Sequence, residues 1–192
     1  GNWDYDALSG WFWESTAVYM EYETLPHDPM YSVFLFGFAF LPHKALNFFD
    51  YFDTGAIQEY YQYGAFLFSK YLTEYPFDST WIRDAWINPG QAPDPLTYLR
   101  DRTRESGNNF EDLTIDFASR NAVLDYEHEE WYRYYLDYYA DYFPGDDHRI
   151  TAGISSFGSQ GWKSPNHSLR PERYGSNHLE LKHPAVTELL FE

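Results

Sequence analysis

The sequence contains no cysteine, which excludes disulfides and thiolate metal sites. Cationic residues are scarce, with 13 Lys+Arg against 30 Asp+Glu and a formal net charge of −17. A surface of that sign repels a phosphate backbone, which argues against nucleic-acid binding. Long apolar runs are also missing. The most apolar stretch, Tyr31 to Leu41, is stopped by Pro42 and is too short to span a bilayer, so it reads as a buried helix. What is abundant is aromatic: 22% of the 192 residues are Phe, Trp or Tyr, within an apolar share of 44%. A chain of this composition can bury a large area, which excludes wholesale disorder and leaves room for one domain, or one domain and the start of another.

Helical periodicity dominates the first three quarters of the chain. Ser9 is placed to cap a helix from Gly10 to Thr24, ended by Pro26. Tyr31–Leu41 is the next predicted helix, followed by a Phe- and Asp-rich stretch over residues 44–53. A long helix is expected over Ala56–Tyr75 and a short one over Ser79–Ile87. The Pro- and Gly-containing stretch 88–95 is a loop, and helical patterns resume over Leu96–Arg104, Asn109–Asp125 and Glu127–Tyr142. Phe143-Pro-Gly-Asp-Asp is a strong break. Beyond it come short alternating patterns at 148–162, a loop at 163–177 and a strand over 178–183. The expected architecture is therefore mainly α: a helical domain over residues 1–143, then a loop and β-rich segment over 144–192.

The chemistry-bearing candidates begin at Trp11-Phe-Trp-Glu-Ser-Thr-Ala-Val-Tyr-Met-Glu. Helical spacing puts Glu14 in one stripe with Trp11 and Val18. A carboxylate there is costly unless paired, protonated or bound to a metal. Glu21, seven residues on, shares roughly that face, so a cation site is one reading. The other is that Glu14 lies at the edge of the stripe and pairs with an arginine.

Trp-x-Glu-Ser-Thr-Ala-x-x-Met-Glu, a following Leu-Pro loop, an apolar helix and then Tyr63-Gly-Ala-Phe-Leu-Phe-Ser-Lys-Tyr-Leu resemble bacterial secreted metallopeptidases of the gluzincin type. Phe117-Ala-Ser-Arg-Asn121 and Tyr174-Gly-Ser-Asn177 resemble later landmarks of that family. The resemblance implies a helical gluzincin-like C-terminal subdomain with the start of a β-rich segment, a secreted (extracellular or periplasmic) location and a peptide or protein substrate. It implies zinc as cofactor, with Glu14 as a zinc ligand, Glu21 supporting it and Tyr63 positioned to donate to a tetrahedral oxyanion. In that family two further ligands and the water-activating Glu come from a His-Glu-x-x-His helix. No such motif occurs here. Glu127-His128-Glu129-Glu130 lacks the second histidine, since residue 132 is Tyr. The resemblance places that helix upstream of Gly1, so residues 1–192 alone are expected to be inactive. The family's Gly after the ligand Glu is Ser15 here, and an acidic residue expected after Glu21 is Tyr22.

Other candidates read as structural. His27, His43, His148, His167, His178 and His183 show no metal-type spacing and are expected at the surface. Trp131-Tyr-Arg-Tyr-Tyr-Leu-Asp-Tyr-Tyr-Ala-Asp-Tyr-Phe places aromatics on every face of a helix, which is expected to be buried, although such platforms also stack on sugars. Asp50, Asp53, Asp146 and Asp147 are candidate calcium ligands without the spacing of a calcium loop. The alternative function is a non-catalytic extracellular structural or binding protein whose acidic, aromatic-rich surface contacts a protein or glycan.

Overall fold

A computed structural model of the chain describes residues 3–50, 55–150, 152–154 and 169–181. The described fold is mainly α. In order come α1 (Gly10–Thr24), a 3-10 turn at Pro29–Ser32, α2 (Leu35–Ala39), a 3-10 turn at Ile57–Tyr60, α3 (Tyr61–Gly64) and α4 (Phe66–Glu74). Then follow α5 (Thr80–Ile87), α6 (Pro95–Glu105), α7 (Phe110–Val123) and α8 (Glu129–Ala140). Two short strands, β1 (Ala152–Ile154) and β2 (Leu179–Leu181), pair in parallel with Ala152 opposite Leu179. No described helix is long and apolar enough to cross a membrane.

Local chemistry sets several boundaries. Asp94 caps α6 by accepting from the Thr97 amide at 2.9 Å, with Pro95 in the first turn, where its missing N–H costs nothing. Asn109 caps α7 through the Glu111 amide at 2.8 Å, and Glu111 and Asp112 add negative charge to that end. α1 begins at Gly10 as expected, but the Ser9 side chain makes no cap. Asp6 takes that role one turn earlier, accepting from the Leu8 and Ser9 amides.

Two expected helices are interrupted. The apolar run 31–41 is not one helix but a 3-10 turn and the five-residue α2. The stretch 56–75 is a 3-10 turn and two helices that meet at Ala65. Both interruptions have one cause, the crossing of α2 over α3. A Cβ on Gly37 would lie 2.4 Å from the Tyr60 carbonyl carbon, and one on Gly64 would lie 2.7 Å from Phe38 Cβ and 2.8 Å from the Phe34 carbonyl. The two backbones touch, so neither segment can follow its own helical period where they cross.

Around this crossing lies one aromatic core. Phe38 and Phe68 meet Phe117 of α7, while Tyr31 and Phe66 meet Tyr132 of α8. On the other side α5 closes over α1. Trp86 stacks on Phe12 and donates to Thr16, and Trp3 donates to the Ala85 carbonyl. The C-terminal segment folds back on the loop after α2. The amides of Glu172 and Ser176 donate to the carbonyls of His43 and Pro42, each at 2.7 Å.

The crossing makes a direct prediction. Gly37→Ala must push α2 away from α3 and should destabilise the chain by about 1–3 kcal/mol, the range for overpacking a close contact. The urea midpoint followed by tryptophan fluorescence measures it, and an unchanged midpoint would show that the contact is slack.

Candidate functional site

Glu14 stands at the border between the buried and exposed faces of α1. Trp11, Ser15, Val18 and Tyr22 on one side are buried, whereas Trp13 and Ala17 on the other are exposed. The carboxylate is half-buried and accepts a hydrogen bond from the Tyr5 hydroxyl at 2.5 Å. Tyr5 in turn lies edge-on to Trp13 and Phe49. Among the described residues Glu14 forms no ion pair. It is therefore at the stripe's edge, as one of the two sequence readings had it, but without the arginine. Glu21 is exposed further along α1.

Tyr63 lies in α3 and rests its half-buried ring against Phe34, 5.4 Å between centroids. Neither Glu14 nor Tyr63 lines any of three cavities found among the described residues. The two later motifs do converge: Phe117, Asn121, Tyr174 and Ser176 line one cavity between α2, α7, α8 and the C-terminal segment.

The most unusual electrostatics lie elsewhere, where α1 meets α4. The Lys70 side chain is fully buried. Its ammonium contacts the Glu74 carboxylate one turn on and lies 3.6 Å from the centre of the Tyr22 ring. The Tyr22 hydroxyl donates to Glu127 at 2.9 Å, which ties α1 to the lead-in of α8. Burial pushes the Lys70 ammonium below its ordinary pKa and the Glu74 carboxyl above its own, and the contact between them opposes both shifts. Burial, followed by the hydrogen bond to Glu127, raises the Tyr22 phenol.

Two expectations are corrected here, the surface position of all the histidines and the burial of α8. His43 is buried, at 8% exposure, because the C-terminal segment covers the loop that carries it. Its ring meets that of His148 at 5.6 Å, and burial followed by the His148 charge lowers its pKa. His178 is half-buried and likewise lowered by burial, while His27 is exposed and His167 and His183 lie outside the described residues. α8 is not buried all round. Tyr132 and Leu136 face the core, but Tyr134, Tyr138 and Tyr142 are 64%, 46% and 63% exposed and run along one outer edge. α2 and the turn before it make the main contacts with this helix, joined by Phe66 of α4 against Tyr132, so one face is covered and the other is not. Of the aspartates, Asp147 is engaged by Arg149, Asp50 is buried, Asp146 is exposed and Asp53 lies outside the described residues. No three or more His, Asp or Glu side chains come together in a way that could hold a metal ion among the described residues.

A family model matches residues 2–190, nearly the whole chain. The chain belongs to DUF6055, a family of unknown function. Neither a curated protein nor a solved structure matches it. In this DUF6055 chain the sequence did carry one signal for the network at α1 and α4. Lys70 interrupts an apolar helical face, and Glu74 stands four residues on, where an opposite charge can reach it. Nothing local pointed to Glu127, which is distant in sequence and arrives through the fold.

Removing one partner of a buried pair leaves the other charge uncompensated. Lys70→Met should cost about 3–5 kcal/mol, and the double change Lys70→Met with Glu74→Leu should recover most of it. Urea unfolding of the three proteins measures this, and a double variant as unstable as the single one would show that the pair does not act as a unit.

Proposed function

We propose that this DUF6055 chain is the downstream helical part of a secreted zinc-dependent metallopeptidase, hydrolysing peptide bonds by metal-activated water, with Glu14 as one metal ligand. The observation that carries the reading is the state of Glu14. It is a half-buried carboxylate on a helix, next to Trp11 and Trp13, held by one phenol and by no cation among the described residues. The phenol is a neutral partner and engages one carboxylate oxygen, which leaves the other for a metal ion. Order and spacing of the later motifs, and a mainly α fold, agree with the resemblance.

The described residues fit one ligand of a zinc ion and not a full set, since no group of three candidate ligands comes together among them. The paired histidines and the general base would come from outside residues 1–192. When bound, the metal would supply an activated water. The chain's own residues orient and screen. Tyr5 fixes one carboxylate oxygen of Glu14, and α5 seals α1 through Trp86 and Phe12 so that the helix cannot roll. Tyr63, packed on Phe34, is offered as an oxyanion donor only after its side chain turns away from that contact.

A second reading is favoured by one specific observation, the exposed tyrosines of α8. Tyr134 and Tyr138 lie with nearly parallel rings, and the Tyr138 and Tyr142 hydroxyls are 3.0 Å apart, with exposed Asp137 and Asp141 between them. Aromatic faces with flanking carboxylates suit a glycan or a protein partner, as a non-catalytic extracellular protein would need.

The full-length protein separates the two. Under the peptidase reading, elemental analysis finds zinc in the wild type, and Glu14→Gln lowers it severalfold while the helical circular-dichroism signal is unchanged. Residues 1–192 with added zinc hydrolyse no peptide. Zinc absent from the wild type, or retained in full by Glu14→Gln, removes the basis of the peptidase reading.

A further inference from the structure

The charged side chains that line the cavity where the two later motifs meet are cationic, in a chain that is acidic overall. Its volume is about 530 Å³, within the range of small-molecule sites. Its floor is apolar, formed by Phe38, Leu46, Leu67, Phe117 and Leu136. Its polar side chains include Lys44, Arg133, Arg149 and His178, with Asn121, Ser176 and the hydroxyls of Tyr61 and Tyr174. Among the described residues no carboxylate lines it, although the chain carries 30 Asp+Glu against 13 Lys+Arg.

The cationic heads are fixed in place by acids that stand outside the cavity. Lys44 pairs with Glu172 at 3.3 Å, Arg133 with Glu129 at 3.1 Å, and Arg149 with Asp147 at 2.7 Å and with Asp137 at 3.8 Å. Arg149 also lies over the Phe40 ring, 4.9 Å from its centre, and Arg133 donates to the Val123 carbonyl. Such tethers cut the entropy lost when a ligand engages these groups. The wall carrying Ser176 and His178 is itself pinned, since Gly175 packs so closely on the His43 and Lys44 carbonyls that a Cβ there would lie 2.5 Å and 2.6 Å from them. The cavity is thus an apolar slot whose lining charges are cationic, with their acidic partners set back outside it, in a molecule whose overall field repels anions.

From this juxtaposition we propose that the cavity binds an amphiphilic monocarboxylate, with its apolar chain in the slot and its carboxylate at the Lys44–Arg149 rim. A cationic amphiphile of equal length meets like charge at the rim and is rejected. A neutral one forfeits the charge-assisted hydrogen bonds that set the orientation. This site is independent of Glu14, which does not line it.

The test uses residues 1–192 and isothermal titration calorimetry with decanoate, decyltrimethylammonium and decyl phosphate below their aggregation concentrations. Decanoate should bind one to one and raise the melting temperature, and decyltrimethylammonium should not bind. Lys44→Gln and Arg149→Gln should each weaken decanoate by about tenfold or more, the loss expected for a charge-assisted hydrogen bond. Ala122→Trp, on an exposed position at the cavity edge, removes no hydrogen-bonding side chain and should abolish binding with the circular-dichroism spectrum intact. No decanoate binding, equal binding of the cationic amphiphile, or full binding by Ala122→Trp would overturn the proposal. Tighter binding of decyl phosphate than of decanoate would overturn the carboxylate assignment.

Discussion

A buried ammonium is the most demanding group in this structure, and the packing of α1 is organised around it. Lys70 has no exposed side-chain surface, and its charge is answered on one side by Glu74 and on another by the face of Tyr22. Either answer alone would leave a desolvated charge that costs several kcal/mol. Together they require α1 to lie on α4 in one rotational setting. The Tyr22 hydroxyl then carries the constraint to Glu127 and so to the start of α8. Apolar packing among so many interchangeable aromatic rings would be less selective, because Phe and Tyr side chains fill similar volumes. The ion pair gives the aromatic core a register.

That register decides what α1 presents to its surroundings. With Trp11, Val18 and Tyr22 turned inward, Glu14 falls on the border and Glu21 outside. The Glu14 carboxylate is neither sunk in the core nor neutralised by an arginine among the described residues, and its position is tuned by Tyr5 from the N-terminal turn. The crossing at Gly37 and Gly64 fixes a second relation, bringing α2 and the loop after it under the C-terminal segment. The cavity with the cationic rim is a product of that second relation. The two candidate sites thus depend on different contacts.

Much of the architecture was legible in the residues. The bounds of α1, the helices at the positions of α5 to α8 and the strand at 179–181 follow from caps, breakers and period. Legibility failed where tertiary contact overrode local pattern. The run 31–41 reads as one helix because nearly every residue in it is apolar, but a backbone crossing, which leaves only a glycine as its trace, decides its shape. α8 reads as buried because aromatics occur all round it, yet burial depends on how many neighbours pack there, and the outer tyrosines have none of the core against them. His43 reads as a loop residue and is buried by a segment more than a hundred positions away. Glu14 was visible as a singular residue, but its phenol partner was not, since Tyr5 reaches it through an irregular turn without a sequence period.

On the proposed peptidase reading, Glu14 is held for a metal and not for a cationic side chain. A crystal structure of the full-length protein, with data collected on both sides of the zinc absorption edge, tests it most directly. An anomalous zinc peak is expected about 2.0–2.2 Å from a Glu14 carboxylate oxygen, the ordinary zinc–carboxylate distance. A Glu14 carboxylate bonded to Tyr5 with no zinc peak at ligand distance, or an arginine or lysine from outside residues 1–192 bonded to it, would contradict that claim.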